Sequence, residues 1–283
     1  MVRTSANSAH PLVGFIGAGN MARGLAGGLI KNGWGQNQVI LADPEPSQRE
    51  SVESLLGVKT FASNSDVAAR ADILVLAVKP QILGDVAKAL TSAVQKNKPL
   101  IISIAAGVRI EDIDRWLGNG LAIVRVMPNT AALIGSGASG MYANDCVNEG
   151  MRNQAESILR AVGVTVWLAD EYLMDVVTAL SGSGPAYFFL VMEALEQASI
   201  ESGLDPKQAR LLTLETAFGA AKMALESHEE PAQLRRRVTS PGGTTEQAVK
   251  VLEQGDIRQL FKQAVQAAVI RAREIADMFG KNA

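Results

Sequence analysis

The sequence predicts an α/β protein in two parts, a doubly wound sheet domain over residues 11–170 followed by an all-helical domain over 171–283. Three observations carry that expectation. An apolar stretch from Leu12 to Ile16 runs straight into a glycine turn that opens a helix. Strand and helix signals then alternate as far as residue 170, as βαβ units do. Beyond Asp170 no strand pattern recurs, and long alanine-rich helical stretches take over.

The first unit sets the type of sheet. Residues 12–22 read Leu-Val-Gly-Phe-Ile-Gly-Ala-Gly-Asn-Met-Ala. Gly17 permits a tight turn and Gly19 lets the backbone approach a pyrophosphate. Ala22, in the third place of this G-x-G-x-x-A pattern, is small enough for close helix–strand packing. The free N–H groups of the helix over 21–32 face the phosphates, and the helix dipole favours their negative charge. That helix ends at Gly33, a second strand follows over 39–42, and Asp43 stands at its tip. An acid at that distance meets a ribose hydroxyl, so the Rossmann-type unit reads as a dinucleotide site.

The remaining elements extend this sheet. A short strand over 58–61 and a helix over 66–70 precede the continuous apolar run 73–78, typical of a strand buried on both faces and punctuated by Lys79-Pro80. A helix over 82–94 leads to a strand over 100–104 that ends in Ala105-Ala106-Gly107. A helix over 110–117 leads to a strand over 122–127 that ends in Pro128-Asn129-Thr130. Two further strands, 140–143 and 164–167, flank a helix over 148–162 and add to one edge of the parallel sheet. Ligands of such sheets bind at the carboxyl ends of the strands. One rim therefore gathers Gly17, Ala18, Gly19, Asn20 and Met21 with Ala77, Val78, Lys79, Pro80, Ala105, Ala106 and the 128–130 turn.

The helical half reads as helices over 187–202, 206–226, 245–254 and 257–279. Small residues such as Ala217, Gly219, Ala220 and Ala221 permit close helix approach, and the scarcity of charge over 179–195 points to a buried subunit interface. The segment Ser181-Gly-Ser-Gly-Pro-Ala186 ahead of these helices can either seat a ligand or let helices cross closely.

Bulk properties exclude several classes. With 283 residues and a formal charge of −2, no basic surface argues for nucleic acid or an anionic membrane. Apolar stretches such as 100–106 are far too short to span a bilayer. Residues 1–8 lack the apolar core of a signal peptide and read as a short flexible tail. One cysteine, Cys146, allows no intrachain disulfide, and a cytoplasmic location is expected. The histidines are His10 and His228, so no Ser–His–acid constellation forms, and no His/Cys/carboxylate cluster has metal-ligand spacing. A dinucleotide site without other catalytic apparatus suggests hydride transfer, with the cofactor carrying the chemistry.

A second chemical site stands in Arg235-Arg-Arg-Val-Thr-Ser-Pro-Gly-Gly-Thr-Thr-Glu-Gln247. Pro241-Gly242-Gly243 breaks the preceding helix, and Thr244, three residues before Gln247, has the spacing of a capping box for the next one. Two glycines ahead of a helix N-terminus let N–H groups converge on a carboxylate or phosphate. The hydroxyls of Thr239, Ser240, Thr244 and Thr245 add donors.

With both glycine loops placed, residues 11–279 closely resemble pyrroline-5-carboxylate reductase. The matching motifs are Phe15-Ile-Gly-Ala-Gly-Asn-Met21, Ala77-Val-Lys-Pro80, Ala105-Ala-Gly107, Leu180-Ser-Gly-Ser-Gly-Pro-Ala-Tyr187 and Val238-Thr-Ser-Pro-Gly-Gly-Thr-Thr245. The resemblance implies reduction of 1-pyrroline-5-carboxylate to L-proline, the last step of proline biosynthesis, with NAD(P)H on the sheet domain. It also implies an intertwined homodimer through the helices, often assembled further into rings. It assigns Ile16, Gly17, Ala18, Gly19, Asn20, Met21, Asn64, Ala77, Val78, Lys79, Pro80 and Ala106 to the cofactor. It assigns Ser240, Gly242, Gly243, Thr244 and Thr245 to the substrate, with the Thr245 hydroxyl beside the imine nitrogen. The family's helix-end acid before this loop aligns with a crowded His228, Glu229 and Glu230, and that role stays unassigned.

Two other classes compete. β-Hydroxyacid dehydrogenases share the two-domain architecture and resemble Gly182-Ser-Gly184, but carry a catalytic lysine where this chain has Phe188. A non-catalytic dinucleotide-sensing module would have no use for a second anion loop.

Overall fold

The computed structural model describes residues 11–281; the expectations for residues 1–8 and His10 lie outside the described residues. By contacts the chain forms two compact units. One comprises the chain as far as Gly182 together with Ala268–Ala283, the other Ser183–Ala267.

The first unit alternates strand and helix: β1 (Val13–Ile16), α1 (Asn20–Lys31), β2 (Val39–Ala42), α2 (Pro46–Leu56), β3 (Lys59–Phe61), α3 (Asn64–Ala68), β4 (Ile73–Leu76), α4 (Pro80–Asn97), β5 (Leu100–Ser103), α5 (Ile110–Trp116), β6 (Ile123–Met127), β7 (Gly137–Ala143), α6 (Glu149–Arg160) and β8 (Gly163–Trp167). They form one eight-stranded sheet in the order β3-β2-β1-β4-β5-β6-β7-β8. Every residue of β1, β2, β4 and β5 is buried, because helices cover both faces. Alternate side chains feed two cores: Val13, Phe15, Val75 and Ile102 pack with Leu25, Leu29, Ile158 and Leu159. Ile16, Leu74, Leu76 and Ile101 pack with Leu83, Leu90, Ile113 and Trp116.

The sheet departs from the expected all-parallel pattern at its edge. β7 runs antiparallel to β6, pairing Val124 with Ala143 and Met127 with Gly140, and β8 runs parallel to β7. The reason is the short turn over 128–136. With no full crossover helix between β6 and β7, the chain can only return alongside β6 in the opposite sense.

The Ser181–Ala186 stretch is no loop. α7 (Leu173–Val177) continues through a π-helical turn (Thr178–Gly182) into α8 (Gly184–Glu201). A Cβ on Gly182 would stand 2.6 Å from Cε of Met127, so this glycine serves close packing of the helix on the sheet. The run Leu173–Glu201, with mean hydropathy 1.2, is long and apolar enough to cross a membrane by length and composition, a property that the short apolar runs of the strands do not announce. It also carries the buried acid Asp175.

In the second unit α8 is followed by α9 (Pro206–Glu226), α10 (Pro231–Arg237) and α11 (Thr244–Gln254), and α12 (Ile257–Lys281) begins there. Asp205 caps α9 by accepting from the Lys207 amide at 2.9 Å. α8, α9 and α12 leave Phe188, Phe189, Leu190, Leu211, Phe218 and Leu260 exposed on this single chain.

A buried charge cluster anchors the first unit where α7 and the end of α12 join it. Arg125 on β6, 5 % exposed, pairs with Glu171 at 2.8 Å, and Glu171 also accepts from the Ile110 amide at 2.9 Å. Asp175 faces Arg273 at 3.7 Å, yet burial pushes its carboxyl above the ordinary 3.8 despite the nearby arginines. The folded chain therefore holds that proton more tightly than the unfolded chain does. Its contribution to stability is present below the ordinary value and is lost as pH rises through the raised one. In urea unfolding at stepped pH, the stability of wild type relative to Asp175→Asn is expected to fall over that window. A difference that stays flat with pH contradicts this account of Asp175.

Candidate active site

Strand register brings the cofactor motifs together. Phe61, Ala42, Ile16, Leu76 and Ser103 form one row across β3, β2, β1, β4 and β5, each paired with the next. The residues that follow each strand therefore emerge along one rim: Asn64 beyond β3, Asp43 after β2, Gly17 after β1, Ala77 after β4, and Ala105 and Ala106 after β5. The order of the sheet reverses direction between β1 and β4, the switch point where such sheets bind ligands.

At the centre of the rim, Gly17 has φ +100 and its N–H donates to Ala42 O at 2.8 Å. A Cβ there would stand 2.9 Å from Ala77 O, so only glycine fits. Ile16 and Ala18 are fully buried and offer a ligand backbone only; Ile16 O already accepts from the Ala77 amide. Gly19 is the N-cap of α1, no side chain caps that helix, and a Cβ at Gly19 would meet no atom within 4 Å. The amides of Asn20 and Met21 in the first turn thus lack an intrahelical partner and face an open cradle. Lys79 and Pro80 likewise open α4, with proline at N1 and no side-chain cap. Asn64 Oδ1 is shielded from solvent without any hydrogen-bond partner. An open glycine cradle, helix N-termini and a buried unpaired acceptor together fit a bound dinucleotide.

Asp43 is held more firmly than the spacing argument required. Its Oδ2 accepts from the Ala18 amide at 2.9 Å and its Oδ1 from the Glu45 amide at 3.0 Å, so it ties the glycine turn to the tip of β2. The two arginines nearby are also engaged. Arg23 donates through Nε to Ala18 O and through Nη2 to Gln48. Arg49 Nη1 donates to the carbonyls of Asp43 and Pro44 at 2.8 and 2.9 Å. Asn129, expected on the rim, is consumed by structure: it donates to Ser181 O and accepts from the Ala138 amide. A cavity of about 800 Å³ runs along the flank of α1 and shares Asn20 and Arg23 with these residues.

The second site lies on the other unit. Gly243 N–H donates to Ser240 O at 3.0 Å, closing a turn over Pro241 and Gly242, and Gly242 has φ +71. α11 starts one residue earlier than a box between Thr244 and Gln247 requires. Gly243 is the N-cap and carries no side chain, so Thr244 and Thr245 are the first two helical residues and their hydroxyls do not cap. The physical cause is Glu246, whose carboxylate accepts from the Gly242 amide at 2.8 Å and takes over the satisfaction of the helix entry. The signal for it was present, an acid three residues after Gly243, but it was masked by the Thr244–Gln247 pattern. Thr239 is also occupied, donating to Arg235 O. Ser240, Thr244 and Thr245 are exposed, with hydroxyls free for a ligand, beside the unpaired first-turn amides of α11.

Comparison with known proteins decides between the readings. Residues 171–275 match the family model for pyrroline-5-carboxylate reductase dimerisation, and residues 12–107 match the model for NADP oxidoreductase, coenzyme F420-dependent. A pyrroline-5-carboxylate reductase of Pseudomonas aeruginosa is 48 % identical, over 96 % of this chain and 99 % of its own. The chain belongs to the pyrroline-5-carboxylate reductase family. A solved pyrroline-5-carboxylate reductase structure from Coxiella burnetii superposes with a TM-score of 0.91 at 46 % identity, covering 94 % of this chain and 99 % of that one. One from Plasmodium falciparum, with NADP bound, gives 0.84 at 30 % identity over 95 % and 99 %. The helical half of this reductase is thus a dimerisation segment, and it joins copies of the chain into a homo-oligomer.

Proposed function

We propose that this chain reduces 1-pyrroline-5-carboxylate to L-proline with NAD(P)H, with the cofactor on the rim of the sheet and the substrate at the 240–245 loop. The reading rests on one observation: a glycine-capped helix N-terminus with free hydroxyls, in the sequence Thr239-Ser-Pro-Gly-Gly-Thr-Thr245, accompanies a complete dinucleotide rim in the same chain. When bound, the reduced nicotinamide supplies a hydride. The chain's own residues do the rest.

On the rim, the amides of Gly19, Asn20 and Met21 hold the pyrophosphate, Asn64 accepts from the cofactor, and Ala77, Val78, Lys79, Pro80, Ala105 and Ala106 line its nicotinamide half. On the loop, the first-turn amides at Thr244 and Thr245, with Ser240 Oγ and the turn Gly242-Gly243, hold the substrate carboxylate against the positive end of α11. The Thr245 hydroxyl hydrogen-bonds the imine nitrogen and fixes the ring. The protonated imine is already electrophilic and carries its own nitrogen proton, so orientation can supply most of the rate and no histidine is needed.

The active form is a homodimer built by α8, α9 and α12, whose exposed Phe188, Phe189, Leu211 and Phe218 then face a second copy rather than water. This partner also accounts for the apolar run Leu173–Glu201 without a membrane. Assembly of dimers into rings follows the family resemblance, and a cytoplasmic location suits a consumer of NAD(P)H with one free, exposed cysteine, Cys146. The test is NAD(P)H oxidation by the purified chain with pyrroline-5-carboxylate and, in parallel, NAD(P)+ reduction with a 3-hydroxyacid. Turnover of the imine alone supports the proposal; turnover of the hydroxyacid alone replaces it with the dehydrogenase reading.

A further inference from the structure

The turn proposed above to carry the substrate site contains one peptide that can flip, and one side chain bonds to it. Proline at its second position fixes φ near about −65°. Glycine with φ +71 follows, and the closing bond runs from Gly243 N–H to Ser240 O. That is the type II pattern. Types I and II differ by a flip of the central peptide, here Pro241–Gly242, and glycine at the third position tolerates both. In the state observed, the Gly242 N–H points to Glu246 Oε2 at 2.8 Å. After a flip the N–H would point away, and the Pro241 carbonyl would turn towards the carboxylate.

We propose that Glu246 is a positioning residue for the substrate, holding the 240–243 turn in its type II state. Glu246 touches neither substrate nor cofactor in this role. It sits at the third position of α11, where an acid also suits the helix dipole. By holding Gly242 it fixes the extended entry at Gly243, φ −83 and ψ 170. That entry in turn aims the amides of Thr244 and Thr245 and the hydroxyl of Ser240. The ordinary role of such an acid is reciprocal satisfaction of the helix N-terminus. Here its bond reaches one residue further back, to the flippable peptide rather than to the N-cap amide.

The inference rests on the substrate role of this loop proposed above. Glu246→Ala is expected to raise KM for pyrroline-5-carboxylate about tenfold while KM for NAD(P)H stays within twofold. Glu246→Gln keeps an acceptor at the same reach, and its KM for the imine is expected at or below wild type. A wild-type KM in the alanine variant, equal damage in the glutamine variant, or a joint rise of both KM values overturns the proposal. Should the alanine variant fail to fold, hydrogen exchange of the wild-type peptide spanning Gly242 decides. A Gly242 amide protected in wild type and still protected in Glu246→Gln supports the proposal, and an amide exchanging at the unprotected rate in wild type overturns it. Wild type without activity on the imine refutes the reading of the loop itself, whereas an active wild type with unsplit variants refutes only the role of Glu246.

Discussion

Thr245→Ala lowers kcat/KM for pyrroline-5-carboxylate by tenfold or more, with KM for NAD(P)H unchanged within twofold. The size follows from losing one hydrogen bond to the imine nitrogen that tightens as hydride arrives, since each ~1.4 kcal/mol is a factor of ten. Thr245 is the second residue of α11, exposed, and its hydroxyl makes no hydrogen bond within the described residues. Its loss therefore costs the fold little, and a stable but slow enzyme is the expected phenotype. Thr245→Ser, which keeps the hydroxyl, restores most of the rate. Turnover unchanged in the alanine variant removes Thr245 from the mechanism.

The second large effect concerns cofactor choice. Asp43→Ser raises the ratio of kcat/KM with NADPH to that with NADH by about tenfold. In the cofactor site proposed here, the two carboxylates of Asp43-Pro44-Glu45 repel a ribose 2′-phosphate, and Asp43 accepts from a free 2′-hydroxyl. Both cofactors are expected to support turnover in the wild type, because the Arg49 guanidinium, pinned by the Asp43 and Pro44 carbonyls, stands beside the same turn. Asp43 also accepts from the Ala18 amide, so both KM values rise when it is lost; the ratio isolates the electrostatic part. A ratio that does not move shows the carboxylate serving the glycine turn alone.

Much of this was legible because it depends on short-range chemistry. Gly17 needs a positive φ, the buried strands read as unbroken apolar runs, and β1, β2, β4 and β5 end in register within a residue or two of where the pattern stops. The sense of β7 was not legible, since strand residues read alike in either direction and the short 128–136 connection decides it. Nor was the helical continuity from Leu173 to Glu201, where glycines at 182 and 184 suggest a break. There, tertiary packing of Gly182 on Met127 overrides local propensity. The short helix α10 was read only as a helix ahead of Pro241, without bounds, because its seven residues are too few for a periodic signal. At the 240–245 loop the helix start was placed a residue late, because Thr244 outranks Gly243 as a cap by propensity while Glu246 settles the matter by contact.

The central claim is that this chain delivers hydride to the carbon of a cyclic imine oriented by its nitrogen and its carboxylate. Its most direct test is turnover of pyrroline-5-carboxylate with nicotinamide cofactor deuterated at the transferable position, followed by mass analysis of the product. The account predicts proline carrying one deuterium at the ring carbon next to nitrogen that bears no carboxylate. Proline without deuterium, or deuterium at the carbon bearing the carboxylate, would contradict it.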